Sequence, residues 1–185
     1  MKLKLYLKTV SWVLASALLC NACQSLIPKA QGLATPQWVA QNYQRQDQIE
    51  VQWKTQSFSF LLYQQQRGQS LDMLALSLTG QQLFKLSFDG QKVDVEQRIE
   101  QMKLLPFDYV VRDILYATYP NFARLHAAQN AVVQKDDTIY IQQQPVLKIQ
   151  QNEGAIELDN LQVPYQMVIS AVSNTLEDDQ GDHHD

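Results

Sequence analysis

Two cysteines and three histidines are all that this 185-residue chain offers to thiol or metal chemistry. A zinc site or a disulfide framework needs clusters of such residues at fixed spacing, so neither is expected. Basic residues are short too: 15 Lys and Arg face 19 Asp and Glu, a formal charge of −4. With no surplus to neutralise phosphates, nucleic acid is not an expected partner. Six Gly and six Pro are too few for a low-complexity chain, and 45% apolar residues are too many for bulk disorder. Catalytic signatures are missing as well: no Gly-x-Ser-x-Gly elbow, His-Glu-x-x-His pair or phosphate loop occurs. Ser57, Ser59, Ser70 and Ser77 fall in or beside expected strands, and His126 would have to serve every acid–base role. Asp136 and Asp137 adjoin in a turn, where solvation accounts for them. No enzyme, cofactor or metal is expected, and what remains is one domain long enough to bury a core.

Residues 1–22 read as an export signal, to be set aside before fold reasoning. Lys2, Lys4 and Lys8 supply its positive start. The apolar stretch Val10 to Leu19 is well short of the roughly 20 residues that span a bilayer. It ends in Leu18-Leu19-Cys20-Asn21-Ala22-Cys23, the outline of a bacterial lipobox. Ala22 before Cys23 is small enough for a signal peptidase pocket, whereas Leu19 before Cys20 is bulky. Cys23 is therefore the expected lipidation site, with Cys20 as the alternative. Gln24 stands where lipoproteins retained at the inner membrane carry Asp. The expectation is thus an outer-membrane lipoprotein of a Gram-negative bacterium, facing the periplasm. Cleavage before Cys23 removes Cys20, and with it any disulfide, and removes three lysines, taking the formal charge from −4 to −7. Acyl chains, at about 0.8 kcal/mol per buried CH₂, and not charge, would hold such a protein to its membrane.

Residues 23–36 read as a lipidated tether, with Ser25, Pro28, Gly32 and Pro36 among few charges. A short helix is expected from Pro36 to Gln44, anchored by Trp38, Val39 and Tyr43. The hydrophobic period then becomes two. Ile49, Val51 and Trp53 alternate with polar residues, as do Phe58, Phe60 and Leu62, then Leu74, Leu76 and Leu78, then Phe84, Leu86 and Phe88. Gly68, Gly80 and Gly90 punctuate these runs as hairpin turns, and Val93 and Val95 begin a fifth strand. Beyond Pro106, the positions Val110, Val111, Ile114, Leu115 and Thr118 keep helical spacing as far as Tyr119, where Pro120 breaks it. Asn121 to Ala128 reads as a second short helix presenting Phe122 and Leu125. Strands resume at Ile139 and Ile141, Leu147 and Ile149, Ile156 and Leu158, and Val163 to Val172. Residues 175–185 form an acidic tail expected to be disordered, where Asp182-His183-His184-Asp185 has no fixed geometry for a metal. The chain's 28 glutamines sit at strand ends and on polar faces, the dress of a solvated surface. The fold expected over residues 37–174 is α+β: a strongly bent antiparallel sheet, a half-barrel, with helices covering its concave face.

The run Leu78-Thr79-Gly80-Gln81-Gln82-Leu83-Phe84-Lys85-Leu86-Ser87-Phe88-Asp89-Gly90 resembles the signature hairpin of the DUF3261 lipoproteins. So do Leu105-Pro106, the later Val111-Arg112-Asp113-Ile114-Leu115, and the pair Tyr119-Pro120, where the family more often has Trp before the Pro. The resemblance covers Ile49 to Ile169 and contains no catalytic motif. It implies a fold similar to LolA and LolB, which hold acyl chains in a half-barrel closed by helices. Family members are often encoded beside aryl-polyene synthesis genes, which implies the handling of a lipid-linked polyene.

On this reading Trp53, Phe58, Phe60, Leu62, Leu74, Leu76, Leu78, Phe84, Leu86 and Phe88 line a ligand cavity, and Val111, Ile114, Leu115 and Phe122 form its helical lid. The same residues serve equally as a dry core, because both uses remove the same apolar surface from water. Arg112 and Asp113 are expected on the helix surface, or at a cavity mouth orienting a head group. His126 is expected at a helix end, where the dipole favours a cation. The function expected is that of a monomeric, non-enzymatic outer-membrane lipoprotein that binds a lipid or lipid-linked amphiphile. The alternative is an envelope lipoprotein with a filled core, docking on a transport or synthase complex.

Overall fold

The computed structural model describes residues 29–38, 41–126 and 132–172. The expected signal, Cys20, Cys23, Val39 and the acidic tail lie outside the described residues. Ten strands make one sheet: β1 (Gln44–Trp53), β2 (Gln56–Arg67), β3 (Ser70–Leu76), β4 (Gln82–Phe88), β5 (Val93–Arg98), β6 (Val133–Lys135), β7 (Thr138–Ile141), β8 (Gln144–Asn152), β9 (Ala155–Asn160) and β10 (Tyr165–Ala171). Between β5 and β6 come a 3-10 turn (Glu100–Met102), α1 (Phe107–Thr118) and α2 (Phe122–His126). The sheet order is β5-β4-β3-β2-β1-β10-β9-β8-β7-β6. Two five-strand meanders are thus joined where β1 pairs antiparallel with β10, Ile49 opposite Ile169 and Trp53 opposite Tyr165. β5 and β6 end the order, so the sheet is open, which is compatible with a half-barrel. β5 carries Asp94, Glu96 and Arg98, charges that suit an edge strand.

Register decides which side chains share a face, because side chains alternate along each strand. Phe60 lies opposite Ile49, Ala75 opposite Leu62, and Phe84 opposite Ala75. Met73 faces Leu86 and Leu71 faces Phe88, which completes an apolar inner face on the first meander. Irregularities between Ala75 and Leu76 and between Lys85 and Leu86 break the ladder there, the kind of bulge that increases twist. Glu50, Gln52, Ser59, Glu157 and Gln166 are exposed on the opposite face, where the glutamines are solvated, whereas Gln64 is buried on the inner face.

α1 covers the inner face. Phe107, Val110, Val111, Ile114 and Leu115 recur at helical spacing and are buried. The helix ends at Thr118, one residue earlier than the sequence spacing suggests. Tyr119 is extended (ψ 127°), the conformation that a following proline imposes, and its N–H still closes on Leu115 O at 3.0 Å.

The segment before β1 differs from expectation. No helix runs from Pro36: residues 36 and 37 form a turn, and 41–43 have no regular structure. Residues 29–36, read as tether, are instead a strap laid along α1. Ala30 and Leu33 are buried. Gln31 O accepts from Arg112 Nη1 at 3.2 Å, and Gly32 O accepts from the Tyr116 hydroxyl at 3.1 Å. Thr35 N donates to Gly90 O at 2.8 Å, and Thr35 Oγ1 donates to Leu125 O at 3.0 Å. Trp38 and Tyr43 do serve as anchors, but in an aromatic cluster rather than on a helix. The Trp38 ring stacks on Tyr119 (5.0 Å) and meets Phe88 edge-on (5.1 Å), while Tyr43 lies 4.8 Å from Tyr119.

Candidate ligand-binding face

The surface under α1 is the candidate site, and most of the expected lining residues meet there. Phe60, Leu62 and Phe88 are 0% exposed, Phe84 and Leu86 1%, and Trp53 6%. Phe84 packs edge-on against Phe60 at 5.4 Å and against Phe107 at 5.1 Å. Phe58 is half-buried beside this core. Of the expected lid, Val111, Ile114, Leu115 and Phe122 are all buried against the same core.

β3 is a correction. Leu74 and Leu76 are half-buried on the far face, opposite Tyr63 and Leu61, and Leu78 is 63% exposed in the turn that follows. Leu71, Met73 and Ala75 point inward in their place. Apolar residues occupy nearly every position of Leu71 to Leu78, so alternation within the segment cannot choose a face. Pairing with Leu62 and Phe84 on the neighbouring strands does.

The inner face is full. A void able to hold water would leave exposed surface on its walls, and Ile49, Phe60, Leu62, Leu71, Phe88 and Leu115 have none. A depression of about 450 Å³ lies between Trp53, Gln56, Gln101 and Leu104, at the end of the sheet where α1 begins. Another, of about 400 Å³, lies between Glu50, Gln52, Ser59, Gln166 and Val168 on the outer sheet face.

The middle of α1 is pinned by a buried polar cluster, which corrects the expectation that Arg112 and Asp113 are exposed. Both side chains are 0% exposed. Arg112 Nε donates to Asp113 Oδ1 at 2.7 Å, and Arg112 Nη1 donates to Gln162 Oε1 at 2.7 Å. Asp113 Oδ2 accepts from Asn160 Nδ2 at 2.6 Å and from the Tyr165 hydroxyl. Asn160 Oδ1 in turn holds the backbone N–H groups of Gln162 and Val163. Burial pushes the Asp113 carboxyl above its ordinary range, opposed by the Arg112 charge and by the three hydrogen bonds. The same burial, with Asp113 beside it, raises the Tyr165 hydroxyl well above its usual value. Nothing in Val111-Arg112-Asp113-Ile114 signals this: the partners come from the end of β9, the β9–β10 loop and β10, some fifty residues away.

A second inward carboxylate escaped the sequence reading. Asp47 on β1 is 0% exposed, paired with Arg45 Nε at 2.7 Å and accepting from Gln64 Nε2 at 3.2 Å. The polar Gln46-Asp47-Gln48 run around it gives no hint of burial. At the C-terminal end of α1, Tyr43 donates its hydroxyl to Thr118 Oγ1 at 3.1 Å, and burial pushes that hydroxyl up to about 12. His126 is buried against Phe122, with ring centroids 4.8 Å apart, and desolvation lowers it to about 4. It is therefore neutral at physiological pH and adds no cation to the helix end. Among described residues there is no group of three or more His, Cys, Asp or Glu placed to hold a metal, and no helix long and apolar enough to cross a membrane.

One family model matches, that of the protein of unknown function DUF3261, over residues 44–173. The match begins at the first residue of β1 and ends just past β10, so it takes in the whole sheet and both helices. No curated protein matches the chain.

Proposed function

From its membership of the DUF3261 family, to which the chain belongs, we propose that this protein is a non-enzymatic outer-membrane lipoprotein, acylated at Cys23, that takes an amphiphile between α1 and the inner face of its sheet. The observation that supports this reading is the cover that α1 makes, with Phe107, Val110, Val111, Ile114 and Leu115 laid on an apolar sheet face and the helix held at its middle by the Arg112–Asp113 cluster. The expected likeness to LolA and LolB and the aryl-polyene ligand belong to the same proposal. The face is closed in this structure, so α1 must lift to admit a ligand. Lifting uncovers Val110, Val111, Ile114 and Leu115 at about 2 kcal/mol each, roughly 8 kcal/mol together. Rehydration of the Arg112–Asp113 pair offsets part of that cost, since buried ions regain solvation. At about 0.8 kcal/mol per CH₂, a ligand needs roughly ten methylenes to repay the full 8 kcal/mol, and fewer once that offset is counted. The test is native mass spectrometry of the full chain with single-chain amphiphiles of 8 to 16 carbons, for which uptake is expected to set in at or below about ten. Failure to take up the 16-carbon amphiphile would sink the proposal.

The filled inner face favours a second reading, an envelope lipoprotein that docks on a transport or synthase complex. It is supported by absence of uptake together with a defined partner recovered by crosslinking in the envelope.

A further inference from the structure

We propose that the rim of the sheet at which α1 begins is the bilayer-contacting surface of the anchored protein, with Leu104 and Leu161 seated in the lipid headgroup layer. This rests on acylation of Cys23, as read above.

The strand order sorts the loops onto two rims. The β1–β2 turn, the β3–β4 turn, the segment leading from β5 into α1, the β7–β8 turn and the β9–β10 loop all leave the sheet at one end. The β2–β3, β4–β5, β6–β7 and β8–β9 turns leave at the other. Five large apolar side chains are exposed among the described residues, and four of them stand at the first rim. Leu104 (72%), Leu78 (63%) and Leu161 (47%) are in its loops, and Val133 (56%) opens β6 opposite Tyr140, beside the β7–β8 turn. The opposite rim is polar: Gly68-Gln69, Asp89-Gly90-Gln91-Lys92, Asp136-Asp137 and Glu153-Gly154. Exposed leucines scattered singly need no explanation, but segregation to one rim marks a contact surface.

The strap says what covers it. Lys29 acts on the carboxyl of Asp108 in the first turn of α1, so the chain enters the body at this apolar rim. It then runs past Arg112 and Tyr116 to reach Gly90 at the opposite rim. Cys23 lies six residues before Lys29, a reach of about 20 Å at full extension. β2, twelve residues long, spans about 40 Å between the rims. An anchor at Cys23 therefore holds the apolar rim against the bilayer and the polar rim away from it. Because the acidic mature chain is seated by leucines, the contact should persist in high salt.

The test uses the full acylated chain in vesicles of phosphatidylethanolamine and phosphatidylglycerol. Leu104→Cys, Leu161→Cys and, on the polar rim, Asn152→Cys each receive an environment-sensitive fluorophore, and quenching by spin-labelled lipid is measured. Several-fold stronger quenching at 104 and 161 than at 152, unchanged in 1 M salt, is expected. Equal quenching at the three positions, or none at 104 and 161, overturns the inference. So does shielding of 104 and 161 from an aqueous quencher without lipid quenching, which would place them in a contact between copies of the chain. The mass of the N-terminal peptide separates the two failures. An acyl mass on Cys23 with an unquenched rim overturns the rim contact and leaves the anchor standing. An unmodified Cys23 overturns the anchor and, with it, this inference.

Discussion

Trp38 stands so close to Gly90 that a Cβ added to the glycine would lie 2.3 Å from Trp38 Cβ. Gly90 also has φ +90°, a conformation that L residues rarely adopt. The end of the strap is seated by this contact, by the Trp38 indole N–H on Gln69 O at 2.8 Å, and by Thr35 on Gly90 O. Gly90→Ala meets a steric and a backbone penalty at once. A loss of about 2–4 kcal/mol is expected, read from the midpoint of denaturant unfolding. An unchanged midpoint would show that the strap is not held at this point.

Asp113 and Arg112 make a different prediction. Asp113→Ala leaves a guanidinium buried without its carboxylate and is expected to cost about 3–5 kcal/mol. Replacing both, as Arg112→Met with Asp113→Leu, removes the stranded charge and should cost clearly less. Equal losses in the single and the double variant would mean that the charges are not coupled through the interior.

His126 sets a pH dependence with a definite sign. Its folded value of about 4 lies below the ordinary 6.5, so between these values the unfolded chain binds more protons than the folded one. Stability from this group is complete above about pH 6.5 and is lost as pH falls toward 4. Roughly 1–2 kcal/mol should disappear between pH 7 and pH 5. His126→Phe, which keeps a ring beside Phe122 and Tyr116, should flatten that part of the profile. A slope that survives the substitution would place the titrating group elsewhere.

The β7–β8 hairpin turns on Gln142 and Gln143, at φ +50° and +67°. Two positive φ values in a two-residue loop define the turn for which Asn-Gly is preferred. Gln142→Asn with Gln143→Gly is expected to stabilise the protein by about 1 kcal/mol, a rise of about 2–4 °C in Tm. No rise would indicate that the turn relaxes in solution.

Strands with clean alternation were legible in the sequence: Ile49-Val51-Trp53 and Phe84-Leu86-Phe88 point inward as their spacing says. The helical spacing of Val110 to Leu115 likewise gave the buried stripe of α1. β3 was not legible as to face, since leucines stand on both of its sides and the choice is made by its neighbours in the sheet. The strap was hidden because Ala30-Gln31-Gly32-Leu33 has the composition of a linker. What fixes it is a close fit on distant residues, with Gly32 set against Ile141 and Tyr116. The polar pin of α1 was hidden for the same reason, as Arg112 and Asp113 look like any solvated pair until Asn160, Gln162 and Tyr165 are placed around them. The closed inner face could not be read at all, because composition fixes how much apolar surface exists and not whether it is filled.

The pairing of β1 with β10 joins Asp47 to Ala171, so the middle of the sheet is made from the two ends of the domain. During synthesis, the second edge of β1 stays bare until nearly every other strand has been made. Contacts so remote in sequence form slowly, and an uncovered strand edge invites pairing with other chains. Until then the five N-terminal strands keep that edge unpaired. A chain cut before Tyr165 would keep an open seam in place of its central ladder, and this protein should fold in one late step, after its last strand arrives.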